Sequence, residues 1–221
     1  MRYALATLLV FSAVARAQEP TERFAAMEKA LAAKSLHVDF DAELTGKGSG
    51  DKVPFKGLLI MAEGNRARFE VAYKLLGKDL GTKLVCDGKT IQVEVKGGKP
   101  REKAFEENLN RNYAKMLERA GFVVTMFTVR APKTGSVDLA KALEIRDLRL
   151  VRAEKGVDVF AYKLRVDDRV LLGVELKVDA ATHLPLERTL VIEKGADPAT
   201  IREVYRIQRE PKLAEGVFVF P

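Results

Sequence analysis

The side chains able to do acid–base, nucleophilic or metal chemistry are few in this chain and poorly spaced for it. There are two histidines, His37 and His183, and one cysteine, Cys86. A serine or cysteine nucleophile working with a histidine base needs three side chains that converge. His37 alternates with Leu36 and Val38, which puts it on the solvent side of a strand, and His183 sits in a turn before Leu184-Pro185. Cys86 precedes Asp87-Gly88 and reads as a small strand residue of a hairpin. A single cysteine excludes an internal disulfide framework and a multi-cysteine zinc site, and two isolated histidines make a poor metal site. The acidic pairs Glu106-Glu107 and Asp167-Asp168 read as solvated helix and turn positions. The glycine-bearing segments GDKVPFKG and KGGKP lack the spacing of a phosphate loop. The sequence therefore reads as a protein that is not an enzyme, with no cofactor and no metal.

Composition narrows the remaining classes. The chain has 221 residues, 47% hydrophobic and 31% charged, which suits one or two globular domains with a genuine core. The net charge is +7, but Arg146, Arg149 and Arg152 interleave with Glu144 and Asp147, so no basic stripe for nucleic acid forms. A mild basic excess also favours approach to anionic lipid surfaces, although solubility explains it equally well. Residues 1–17, MRYALATLLVFSAVARA, combine an early arginine, an apolar run and a small-x-small close. They read as a secretory signal peptide cleaved after Ala17, which leaves 18–221 as one exported domain.

The elements that must position any site alternate between two periods. Thr21 to Lys34 reads as an amphipathic helix with Phe24, Met27, Ala30 and Leu31 on one side and Thr21 as its cap. From Ser35 the period is two: Leu36, Val38 and Phe40, then Phe55 to Met61, then Ala67 to Leu75, then a hairpin of Leu84–Cys86 with Ile91–Val95. Gly46 to Gly50 reads as a turn. Gly97-Gly98-Lys99-Pro100 breaks the pattern. Glu102 to about Val129 reads as two helical pieces interrupted near Gly121, the second of which also fits a strand. Pro132 to Ser136 is a loop, and Val137 to Leu143 has room for one helical turn. Alternation resumes over Ile145–Val151, Val157–Val166, Val170–Val178, Leu184–Ile192 and Ala199–Ile207. The predicted fold is α+β, a single curved antiparallel sheet forming an unclosed β-barrel with a helical lid.

An unclosed barrel has a concave apolar side, and only the helical segments are available to cover it. In an exported protein such a hollow fits a lipid or acyl ligand, each buried CH₂ contributing about 0.8 kcal/mol. A lid that packs into the empty hollow supplies the opposing term that release requires. Alternation alone favours the plainer account, in which these side chains form an ordinary core.

The order of segments resembles the outer-membrane lipoprotein carrier (LolA-like) family. The resemblance runs through KSLHVDFDAEL at 34–44, FKGLLIMAEGNRARFE at 55–70, LVCDGKTIQVEV at 84–95, LKVDAATHLPLERTLV at 176–191 and the close ATIREVYRIQREPKLAEGVFVFP at 199–221. It implies a periplasmic monomer that takes acyl chains of lipoproteins or related lipids from an inner-membrane exporter towards an outer-membrane acceptor. An envelope sensor or interaction module on the same scaffold is the alternative. The family's lid-locking arginine falls where this chain has Ala62-Glu63, with Arg66 or Arg68 as the nearby substitute. Arg68 alternates away from Phe69, towards solvent.

On this reading the acyl cavity is lined in the first half by Phe55, Leu59, Met61, Phe69, Val71, Tyr73 and Val93. The middle helices contribute Leu109, Met116, Val123 and Phe127, and the later strands Leu172, Val174, Leu176, Leu190 and Tyr205. A slip of one residue in any strand would invert the choice of face.

Overall fold

The computed structural model describes residues 19–46, 51–96, 98–103, 105–128, 138–166, 170–192 and 199–220. The expected signal peptide, the loop at 132–136, Asp167-Asp168, most of the turn at 46–50 and the turn at 195–198 lie outside those residues. No helix among the described residues is long and apolar enough to cross a membrane.

One helix, α1 (Pro20–Leu31), precedes six strands: β1 (Ser35–Gly46), β2 (Lys52–Ala62), β3 (Arg66–Leu75), β4 (Lys78–Cys86), β5 (Ile91–Val95) and β6 (Arg101–Lys103). A helical insert follows. It runs through α2 (Leu109–Lys115), a π-turn at Met116–Ala120, α3 (Phe122–Thr128) and α4 (Leu139–Ala142). The chain then returns to β7 (Leu143–Glu154), β8 (Val157–Val166), β9 (Val170–Asp179), β10 (Pro185–Ile192) and β11 (Ala199–Arg209).

All eleven strands join one antiparallel sheet in the order β6-β5-β4-β3-β2-β1-β11-β10-β9-β8-β7. Two meanders, β1–β6 and β7–β11, thus meet where the first strand pairs with the last, Phe40 opposite Tyr205. The two edges β6 and β7 remain unpaired with each other, so the sheet is not closed. The helical insert starts from one edge and ends at the other: α2 contacts β3, α3 contacts β11, and the π-turn and α4 contact β7. A connection of this kind has to cross one face of the sheet, and that topology makes it a roof.

Register fixes which face is roofed. The inward set is Leu36, Val38, Phe40 and Ala42 on β1, Phe55, Leu59 and Met61 on β2, and Ala67, Phe69 and Val71 on β3, all buried in a single core cluster. Phe160, Tyr162 and Leu164 on β8, Leu172, Val174, Leu176 and Val178 on β9, and Leu190 on β10 continue it. His37 and Asp39 alternate to the outer face, 3.5 Å apart. At Gly57, on the inward side, any Cβ would collide with the Phe40 ring, so glycine there lets the aromatic lie flat across β2.

Local structure departs from the sequence reading at three places and decides one ambiguity. Helix α1 begins at Pro20, with Glu19 and not Thr21 at the cap position and no side-chain cap bond. Proline suits the first turn because its missing N–H would lack a partner there anyway. Strand β4 begins at Lys78, well before Leu84. The polar run Lys78-Asp79-Thr82-Lys83 hides its period, and backbone pairing with β3 through the Leu76-Gly77 turn, both at positive φ, supplies what alternation does not. Residues 101–103, assigned in part to a helix, add β6 to the edge of the sheet. Residues 122–128 are helical, which resolves the helix-or-strand ambiguity. Gly121, at φ +79°, separates α3 from the π-turn as expected.

Candidate functional site

The roof rests on an aromatic floor. The Phe122 ring lies 4.7 Å from Phe40, 5.7 Å from Phe69 and 6.3 Å from Tyr205, and Tyr113 of α2 reaches Phe69 at 5.4 Å. Leu117, Ala120, Val123 and Val124 fill the spaces around them and are fully buried. At the other end of the sheet Phe24 of α1 makes edge contacts with Phe160 and Tyr162. The roof holds its place with apolar contacts of the kind a hydrocarbon chain would make.

Beneath that apolar contact lies a buried polar clamp. Arg188 on β10 and Glu203 on β11 stand opposite each other in register, and both are completely buried. Glu203 accepts from the backbone N–H groups of Phe122 (3.0 Å) and Val123 (2.6 Å), the first turn of α3, whose free amides carry partial positive charge. Arg188 donates to the Leu117 carbonyl and, at 2.7 Å, to the Tyr205 hydroxyl, which in turn donates to Glu203. Tyr162 donates to the carbonyl of Arg119 at 2.7 Å. Sheet side chains thus hold two consecutive parts of the roof by their main chain, the π-turn and α3, which meet at Gly121.

Backbone geometry makes the clamp possible. The π-turn closes with Gly121 N–H bonded to the Met116 carbonyl at 2.6 Å. Widening the helix there leaves the Leu117 carbonyl available to Arg188. A Cβ at Gly121 would strike the Glu203 carboxylate, so two constraints, positive φ and close approach, select glycine. Burial works against the Arg188 charge, but Tyr205, Tyr162 and Glu203 outweigh it and raise its pKa. Burial raises Glu203 as well, opposed by Arg188, Tyr205 and the two amides. Three donors converge on its two oxygens, which is the bonding of an ionised carboxylate.

A second polar cluster lies at the roof's rim. Lys115 contacts Glu118, and at 3.2 Å it reaches Glu28 of α1, which also faces Arg119 at 3.7 Å. Burial raises Glu118 to about 7, against the opposing effect of Lys115. Asn65 and Asn110 tie the start of α2 to the β2–β3 turn through the Glu106 and Ala62 carbonyls.

The strand residues expected to line the cavity fall on the roofed face, and Leu109, Met116 and Val123 lie on the roof. Phe55, Leu59, Met61, Phe69, Val71, Leu109, Val123, Leu172, Val174, Leu176, Leu190 and Tyr205 belong to the core cluster, and Tyr73, Val93 and Met116 are partly buried against it. Phe69, Val123 and Tyr205 lie at the aromatic floor or clamp. Phe55 pairs with Tyr73 at 4.9 Å, and Leu172, Val174 and Leu176 lie on β9, towards the other edge. The Phe127 side chain lies outside the description. Arg66 and Arg68, the candidate lid locks, stand elsewhere. Arg66 is exposed, bonds the Glu63 carbonyl and covers the Phe218 ring, while Arg68 pairs with Glu70 and bonds the Val217 carbonyl. Both follow the outward alternation of β3. The arginine that grips the roof is Arg188, which the sequence reading passed over, as it did Glu203. Each shares a parity with inward apolar residues, Leu190 for Arg188, Ile201 and Tyr205 for Glu203, and a charged residue in such a register is the signal that marks them.

No family model matches the chain, and no curated protein matches it. Solved structures with a similar fold include a DUF1329 family protein from Desulfovibrio piger, 9% identical with a TM-score of 0.42, the match covering 90% of this chain and 95% of that one. A LolA superfamily protein from Nitrosomonas europaea is 10% identical with a TM-score of 0.38, covering 91% and 98%. The MucB of the Pseudomonas aeruginosa MucA/MucB complex is 18% identical with a TM-score of 0.40, covering 91% of this chain and 61% of that one. The architecture of this chain is given by its own strand order: an unclosed antiparallel barrel with a helical roof, of the kind the LolA-like segment order implies.

Proposed function

We propose that this chain binds acyl chains of lipoproteins or related lipids between the curved sheet and the helical roof, and carries them through the bacterial envelope towards an outer-membrane acceptor. One observation carries the reading: the roof crosses an apolar sheet face on short helices, held by main-chain bonds to Arg188 and Glu203. Lifting it would uncover Phe40, Phe69, Leu59 and Val71 without breaking a strand pairing. The floor so exposed offers hydrocarbon contact around one polar cluster, Arg188, Tyr205 and Glu203, and its apolar part suits aliphatic chains of variable length. Leaving the hollow filled by Phe122, Val123 and Leu117 in the empty protein opposes uptake, so that binding stays reversible even though each buried CH₂ contributes about 0.8 kcal/mol. The role is binding and transfer, without a reaction.

The test is extraction of the protein, purified without detergent from a bacterial envelope, followed by mass spectrometry of what it holds. Fatty-acylated species in stoichiometric amount are the expected result. Their absence across repeated preparations, together with failure of added dodecanoyl lysophospholipid to bind, would overturn the proposal.

A further inference from the structure

The roof is not continuous. Between the C-terminal end of α1, the end of β2 and the outer side of α2 lies a cleft of about 460 Å³, within the range of about 300–1,000 Å³ usual for small-molecule sites. Leu31 and Met61 line it and also belong to the main core cluster, so its inner wall is the edge of the roofed interior itself. Its mouth is charged. Lys34 approaches from the α1–β1 junction, Arg111 and Lys115 from α2, with Glu63 and Glu118 as the acidic members.

The charges do not cancel. Lys34 meets Glu63 only at 3.9 Å, and both side chains are exposed. Arg111 is exposed and has no ion-pair partner among the described residues. Lys115 is engaged by Glu28 and Glu118, and burial holds Glu118 partly protonated at neutral pH. A mouth with surplus positive charge over an apolar wall matches an amphiphile with a negative head and a hydrocarbon tail.

We propose that this cleft is the headgroup seat of the acyl ligand, with Lys34 and Arg111 selecting an anionic head at the seam between α1 and α2 while the chain runs inward past Leu31 and Met61. The inference rests on the acyl-binding reading and adds to it the chemical class of the head and the place where it sits. It separates this seam from the buried clamp: the clamp fixes the roof, and the seam reads the ligand.

Calorimetric titration of the full chain with three dodecanoyl probes tests it: lysophosphatidylglycerol (anionic), lysophosphatidylcholine (zwitterionic) and a dodecanoylated neutral peptide. The anionic lipid should bind about five-fold or more tighter than the other two, the size expected of two solvent-facing ionic contacts, and added salt should shrink the difference. The double variant Lys34→Gln/Arg111→Gln, whose side chains are exposed, should melt at the wild-type temperature and bind the three probes with about equal affinity. Equal binding of all three probes by the wild type overturns the headgroup seat alone. A preference that survives in the double variant overturns its location. Binding of none of the probes overturns the acyl reading, and this inference with it.

Discussion

The roof is attached at two polar sites built from similar residue types, and they behave differently. At the inner clamp, Arg188, Tyr205 and Glu203 are sealed between sheet and roof and bond to main-chain groups. At the rim, Lys115 bonds Glu28 and Glu118 side chain to side chain, Arg119 faces Glu28 and donates to the Leu143 carbonyl, and all but the buried Glu118 are partly in water. The contrast shows that burial, rather than residue type, decides what an ionic cluster does. A sealed charge cannot be abandoned by its partner without a large loss, whereas a rim charge is screened and free to titrate. The clamp therefore specifies where the roof sits, and the rim leaves a seam that responds to pH and ligand.

The sharpest way to break the comparison is to remove one member of the clamp. Glu203→Ala strands the Arg188 charge and two amides of α3, and should destabilise the protein by about 3–5 kcal/mol in denaturant titration. The double change Arg188→Met/Glu203→Gln should cost clearly less than the single one, because no buried charge is left alone. If the two costs simply add, the clamp is not a coupled unit.

Next in size is the pH response of the rim. Glu118 is raised to about 7 from an unfolded value near 4.5, so across that window the folded chain keeps a proton that the unfolded chain has lost. Stability must then fall as pH rises through the window, by on the order of 3 kcal/mol in total. Glu118→Gln should flatten this slope in melts taken between pH 4.5 and 8. An unchanged slope would place the titration elsewhere.

Gly121→Ala probes the clamp from the roof side. It forces a Cβ into positive φ and against the Glu203 carboxylate, and should cost about 1–3 kcal/mol. The smallest effect belongs to Glu28→Gln, which removes a rim partner that is partly in solvent. It should change stability by less than about 1 kcal/mol and should matter less still in high salt. A larger loss there than at Gly121 would reverse the order of the two sites.

Much of this was legible in the residues. Alternation in β1 and β3 points to the face that is buried, since Leu36 and Phe69 are flanked by polar neighbours on both sides. Gly121 marked where the helix broke. Arg188 and Glu203 were hidden because a charged residue in a strand is ordinarily assigned to solvent, and their partners lie far away in the chain, at Leu117 and Phe122. Strand β4 was hidden for a related reason, as its pairing with β3 needs only backbone groups. Arg66 and Arg68 drew attention by sequence proximity, which carries no information about which side of a sheet a residue faces.

By itself, the sequence determined the periods: which stretches bury one face as strands, and where a roof could start and stop. Those are local properties, set by side-chain alternation and by backbone freedom at glycine and proline. The tertiary structure alone decided that β1 meets β11, which brings Phe40 to Tyr205, and that the insert crosses the sheet to place Leu117 and Phe122 over Arg188 and Glu203. It also decided that a cleft lined by Lys34, Met61 and Arg111 lies between two helices distant in the chain. Such juxtapositions depend on how the sheet curves and closes around its contents, and no window of neighbouring residues contains that information.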